Sequence, residues 1–177
     1  MNTISSESIC KVQNHKDLLI KAQDFRQKSK STDKSDEAVN LISFNLLNEL
    51  YGIELNSLQE ILKAKSISKV PGSSDFLQGV INLRGNLITV VDLKRRLGLE
   101  TENITEHSRV MIVRNRERSI GLLVDKVLEI VKLPKKNISN PSSGLMKAEM
   151  KYISKIGKTT DQVITIPDLK EIFQSLI

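Results

Sequence analysis

The sequence predicts an all-β protein of small barrels with a short C-terminal helix. Three observations carry this. Apolar runs of strand length recur at close intervals, each bounded by turn residues. No long helical pattern alternates with them, which argues against a doubly wound α/β fold. The clearest helical periodicity is held back for the C-terminal end, where Leu169, Ile172, Phe173 and Leu176 recur at i, i+3, i+4 and i+7.

In chain order, residues 1–28 are polar, with one short helix expected across Asp17–Gln27 from the spacing of Leu18, Ala22 and Phe25. Such a helix is either a frayed extension or a docking element that covers a groove, since isolated helices this short are marginal in water. Lys28–Glu37 is charged, Ser-rich and devoid of apolar residues, and reads as a flexible linker. The chain therefore divides into an N-terminal extension, 1–37, and a folded region, 38–177.

Ile42, Phe44 and Leu46 alternate with Ser43 and Asn45, the pattern of a half-buried strand. Asn48-Glu49 supplies a turn, and Tyr51, Ile53 and Leu55 continue as a second strand. Asn56 is placed to cap a helical turn over Ser57–Lys63, with Leu58, Ile61 and Leu62 on one face. Pro71-Gly72 marks a loop. Val80–Leu83 and Leu87–Val91 form a hairpin around Arg84-Gly85-Asn86, with both faces of the second strand apolar and expected to be buried. Asp92 then caps one helical turn that stops near Gly98. Arg109–Val113 and Ile120–Asp125 pair next, and Val127, Ile130 and Val131 extend the second of them. Asn140–Gly144 is a loop by composition. Ile153–Gly157 pairs with Gln162–Ile166 across Lys158–Asp161, and Asp168 with Glu171 has the spacing of a capping box.

With 177 residues, the chain is long enough for one ordinary domain or two small subdomains sharing a core. Aromatics make up 3% and Trp is absent, so core volume comes from Ile, Leu and Val. The single cysteine, Cys10, excludes an intramolecular disulfide and lacks a local setting that activates a thiol. No run reaches the roughly 18–20 apolar residues of a membrane span, and a cytoplasmic protein is expected. The net charge of +6 permits nucleic-acid binding, but basic residues are interspersed with acids and stacking aromatics are scarce. The densest basic groups are Lys94-Arg95-Arg96 and Arg114 through Arg118.

Catalytic constellations are missing. His15 and His107 stand apart from any Ser, Cys or carboxylate pattern of a triad. Metal, P-loop and dinucleotide fingerprints do not occur. Asp92 and Asp125 each end an apolar strand, but capping and turn roles account for both. The reading is a non-enzyme without cofactor, acting through surfaces.

The most specific signal is GVINLRGNLITVVDLKRRLGL, from Gly79 to Leu99. Gly79, Val80, Asn82, Leu83, Arg84 and Gly85, followed by Val91, Asp92 and Leu93, carry the hallmark spacing of the CheW family, the scaffold proteins of bacterial chemotaxis arrays. The chain resembles that family from about Ala38 to its C-terminus. Two departures stand out: the long N-terminal extension, and Lys155-Ile156-Gly157 where the family commonly has Gly-Ile-Gly.

The resemblance implies two five-stranded, SH3-like barrels packed side by side with an apolar groove between them. It implies two partners: a chemoreceptor cytoplasmic tip, received by the groove, and the regulatory domain of a CheA-type histidine kinase. Membrane association would come only through receptors, at chemoreceptor arrays. The matching groove positions are Ile42, Leu55, Leu58, Ile61 and Val127, each of which taken alone is equally compatible with core packing. Glu60 falls beside the groove, free to pair with a receptor cation or to stand solvated. Arg84 either orders its loop or contacts a partner, while Gly79 and Gly85 serve backbone geometry. Leu145 matches a loop used for a further array contact. Two other functions stay open: a coupling protein of a non-chemotaxis pathway, and a basic β-barrel that binds nucleic acid.

Overall fold

The computed structural model describes residues 20, 23–24, 37–115, 118–141 and 151–174. The alternation around Phe44 becomes β1 (Ala38–Leu46), which pairs antiparallel with β2 (Glu49–Glu54). The two-residue turn is Leu47-Asn48 rather than Asn48-Glu49, since Leu46 lies opposite Glu49. β1 is also buried more fully than its alternation suggests. Leu41 and Ser43 are as buried as Ile42 and Phe44, and the Ser43 hydroxyl donates to the Glu129 carbonyl at 2.8 Å.

After a 3-10 turn at Leu55–Ser57, the segment expected to be helical is instead β3 (Leu58–Lys63), paired with β6 (Arg109–Asn115). The reason lies in its register, which shifts between Leu58 and Glu60. A bulge adds one residue to the strand, so Leu58 and Ile61, three apart, both face the same core. The spacing that imitates a helix is the spacing of a bulged strand.

A second 3-10 turn, Ala64–Ser66, leads to Ser68, which pairs with Val80 of β4 (Leu77–Leu83) through two backbone bonds of 2.8 Å. β4 turns into β5 (Asn86–Asp92), a helical turn follows at Leu93–Arg96, and then come β6, β7 (Arg118–Val124) and β8 (Lys126–Pro134). A third 3-10 turn, Lys135–Asn137, bends the chain into the short β9 (Ile138–Ser139). β10 (Ile153–Lys158), β11 (Val163–Pro167) and the helix Leu169–Gln174 complete the described fold.

The strands form two sheets, ordered β8-β1-β2-β11-β10-β9 and β3-β6-β7-β5-β4. In the first, β8 and β9 are one strand bent at its 3-10 turn, giving five strands around. In the second, the Ser68–Val80 pairing joins β4 to the chain leaving β3, giving five again. These are the two SH3-like subdomains. β3 to β7 run consecutively, so the second barrel is inserted between β2 and β8 of the first. We call them the inserted and the terminal barrel.

The largest core lies between the barrels. Ile42, Phe44, Leu46 and Ile53 meet Leu58, Ile61, Met111 and Leu122 there, together with Ile172 and Phe173 of the C-terminal helix. Smaller cores fill each barrel: Leu41, Leu133, Ile164 and Ile166 in one, and Ile81, Ile88, Val90, Val110, Ile112 and Leu123 in the other. Asp168 caps the C-terminal helix by accepting the N–H groups of Lys170 and Glu171 at 2.9 and 3.2 Å. Leu176 lies outside the described residues.

Candidate partner-binding surface

The hairpin between β4 and β5 explains its own sequence. Leu83 and Asn86 are opposite each other, leaving Arg84-Gly85 as a two-residue turn. Both turn residues have positive φ, +53° at Arg84 and +88° at Gly85, the requirement of a type I′ hairpin. Asn82 holds the turn from inside, its Oδ1 accepting the Gly85 N–H at 2.9 Å. Leu83 packs against the inserted barrel's core. Arg84 is left pointing outward with its side chain 81% exposed, and its Nη2 donates to Glu60 Oε2 at 3.2 Å. The acid and the base that the sequence treated separately are therefore partners.

Around this pair is an open cleft of about 440 Å³, lined by Gln59 and Glu60 of β3, Leu83, Arg84 and Asn86 of the hairpin, and Ser119 of β7. The Ser119 hydroxyl donates to Gln59 Oε1 at 2.7 Å, tying two of its walls together. Leu87, expected to be buried, is 74% exposed on the same hairpin. It stands near the free tip of β5, beyond the reach of the barrel core, whereas Ile88, Val90 and Val91 are covered.

Gly79 acts at the far end of β4. Its φ is +147°, and a Cβ there would lie 2.2 Å from the Ser68 carbonyl oxygen. The first hallmark glycine thus permits the backbone approach that closes the inserted barrel.

The basic triplet after the hairpin is used internally. Asp92 caps the helical turn by accepting the Arg95 N–H at 3.3 Å. Lys94 is buried, and its ammonium donates to Asp125 Oδ1 at 2.5 Å. The other oxygen of Asp125 accepts the Leu47 N–H at 2.7 Å. Arg95 donates to the Asp75 carbonyl. The Arg96 guanidinium lies 4.3 Å from the Phe76 ring centroid and 4.4 Å from that of Tyr152, joining the inserted barrel to the terminal one. A cluster occupied in this way offers little to a phosphate backbone.

Asp125 was legible only as a turn residue; that it carries a buried lysine had no signal in the sequence. Asp125→Ala leaves the Lys94 ammonium and the Leu47 N–H without their acceptor. It is expected to lower stability by about 2–3 kcal/mol, measured as the midpoint shift in urea unfolding. Adding Lys94→Met should recover part of that loss, because an apolar side chain needs no counter-charge.

The expected groove residues do not line an open surface. Ile42, Leu55, Leu58 and Ile61 are 1–2% exposed and belong to the core between the barrels. Where the barrels meet, they meet tightly, and the apolar positions read as a groove fill that contact. Val127 alone of the set is half-buried, at the margin of the same core. Leu145 lies outside the described residues.

A family model described as CheW-like domain matches residues 40–176. The chain is 28% identical to the chemotaxis protein CheW of Helicobacter pylori over 159 residues, 90% of this chain and 95% of that protein. That match is longer than the stretch from Ala38 to the C-terminus, so it takes in part of the N-terminal extension. The crystal structure of the scaffolding protein TtCheW from Thermoanaerobacter tengcongensis superimposes with a TM-score of 0.70 at 34% identity, covering 75% of this chain and 90% of that one. Protein PilI of Pseudomonas aeruginosa is 27% identical over 112 residues, 63% of each chain.

Proposed function

The chain belongs to the CheW family, and on that premise we propose that it is an adaptor joining chemoreceptor cytoplasmic tips to the regulatory domain of a CheA-type histidine kinase. It promotes signalling by positioning its partners and carries out no reaction of its own. The observation that carries this reading is the hallmark hairpin, folded so that Arg84 stands exposed over Glu60 at the rim of an open cleft. Exposed Leu87 supplies an apolar contact on the same hairpin. A helical receptor tip offers a matching surface of charged and apolar side chains. No helix among the described residues is long and apolar enough to cross a membrane. On this reading the protein reaches the receptor array through its partners.

The test is a pull-down of the full chain against a CheA-type kinase regulatory domain and a receptor signalling fragment. Binding to both is expected; binding to neither, by folded protein, overturns the adaptor reading. Arg84→Ala should weaken receptor binding about tenfold while changing stability by no more than about 1 kcal/mol, the range of an exposed ion pair. The doubly swapped Glu60→Arg/Arg84→Glu variant separates two roles. Restored binding would mean that the pair only orders the hairpin; continued loss would mean that the charges face the partner. A second reading, coupling in a pathway other than chemotaxis, is favoured by the similarity to PilI, a relative not named as a chemotaxis protein. Capture of a different kinase in preference to the chemotaxis one would select it.

A further inference from the structure

The two barrels share a large apolar core, yet apolar contact has no preferred direction: it holds two surfaces together without fixing the angle between them. Two directional contacts cross the same boundary, and both start from the helical turn Leu93–Arg96, which continues β5 beyond the hallmark hairpin. We infer that this turn is a clamp, in which Lys94 and Arg96 are positioning residues that fix the angle of the inserted barrel on the terminal one. On the adaptor reading, they thereby set how partners spanning both barrels are placed; the clamp itself does not rest on that reading.

The first contact follows from strand direction. β5 and β7 are parallel neighbours with Asp92 opposite Leu123, so the residues two places further on, Lys94 and Asp125, arrive together. Asp125 stands where the chain leaves the inserted barrel for the terminal one, between Val124 of β7 and Lys126 of β8. Its Oδ1 accepts from buried Lys94 at 2.5 Å and its Oδ2 accepts the Leu47 N–H at 2.7 Å, while its own N–H donates to the Asn45 carbonyl at 3.2 Å. One carboxylate thus ties the end of β5 to the turn between β1 and β2. Leu47 is held there at φ +55°, a conformation leucine rarely adopts. A short charged hydrogen bond from a buried ammonium tolerates little displacement.

The second contact has the same character. The Arg96 guanidinium lies between the Phe76 ring of the inserted barrel and the Tyr152 ring of the terminal one, at 4.3 and 4.4 Å. Its Nε is buried without a hydrogen-bond partner among the described residues, and the ring faces are what the group meets there. Leu93 is fully buried in the shared core, and Arg95 returns to Asp92 and to the Asp75 carbonyl, holding the turn to its own barrel. The turn is thus rooted in the inserted barrel and reaches across at two separate points, Asp125 and Tyr152. A single point would leave a pivot; two remove it.

The test measures the distance distribution between nitroxide labels on the two barrels. It uses the full chain carrying Cys10→Ser, with Lys63→Cys on β3 and Lys158→Cys on β10, both exposed positions. Two changes remove the directional contacts and keep the packing: Lys94→Met/Asp125→Asn, whose amide oxygen still accepts the Leu47 N–H, and Tyr152→Leu. Combined, they are expected to widen the distribution about twofold, with far-UV circular dichroism and amide dispersion preserved. Tyr152→Phe, which keeps the ring face, should leave it narrow. A folded combined variant as narrow as the parent would show that the core alone sets the angle, and would overturn the clamp. If that variant fails to fold, Tyr152→Leu against Tyr152→Phe decides, equal widths overturning the clamp. For the partners, the widened variant should bind a receptor signalling fragment and the kinase regulatory domain singly within about twofold of the parent, yet lose about tenfold in receptor-dependent kinase activity. Full kinase activity would overturn the role in placing partners. If the parent binds neither partner, the adaptor reading fails while the label distances still decide the clamp.

Discussion

Leu58→Arg is expected to unfold the protein. Leu58 is 2% exposed in the core between the barrels, beside Ile61 and Leu55. The substitution removes a buried leucine, worth about 2–5 kcal/mol, and puts a guanidinium among the apolar side chains of that core. The lost leucine alone is a large part of the roughly 5–15 kcal/mol that holds a typical domain together, and the cost of the buried charge adds to it. Far-UV circular dichroism and amide signal dispersion should both be lost. A folded Leu58→Arg protein with only its receptor binding reduced would restore Leu58 to a partner surface and overturn its assignment to the core. Val127→Arg is the contrasting substitution. Its half-buried position at the margin lets a long side chain reach water, so the fold should survive.

Gly79→Ala is the second large effect. A methyl group at this position meets the Ser68 carbonyl at 2.2 Å, and that carbonyl accepts the Val80 N–H that closes the inserted barrel. The backbone must shift, the seam must open, or both, while alanine also resists the φ of +147°. A loss of about 3 kcal/mol is expected, a drop near 10 °C in thermal midpoint for a domain of this size. Gly85→Ala is the control. Gly85 also has positive φ, but no atom lies within 4 Å of a Cβ built there, so only the conformational strain of about 1 kcal/mol applies. Equal effects at the two positions would show that the contact with Ser68 contributes nothing.

These two substitutions mark what the sequence could and could not disclose. Strands bounded by turn residues were legible because burial imposes a period of two, and the hairpin because φ > 0 at two successive positions restricts the residues allowed. β3 was misread because a bulge changes the period locally, making Leu58 and Ile61 look helical. The burial of the expected groove residues was illegible for a related reason: an apolar side chain that fills a contact between two barrels is chemically the same as one that waits for a partner. Only burial separates Ile42, Leu55, Leu58 and Ile61 from Val127. Pairings across long separations were invisible as well. Glu60 with Arg84 and Lys94 with Asp125 join residues on different strands and turns, and nothing local in either partner specifies the other.

The insertion of one barrel into the other sets an order of assembly during synthesis. Every strand of the inserted barrel lies between Leu58 and Val124, so its hydrogen-bonded circuit is complete once that stretch has left the ribosome. The terminal barrel begins with β1 and β2 yet cannot close until β10 and β11 follow, Ile153 of β10 standing 99 positions after Glu54 of β2. In that interval the hairpin face carrying Leu41 lacks Ile164 and Ile166 of its core, while the face carrying Ile42 belongs to the contact with the inserted barrel. A growing chain can shelter one of those faces early, against the barrel that finishes first; the other must wait for the last strands to be made.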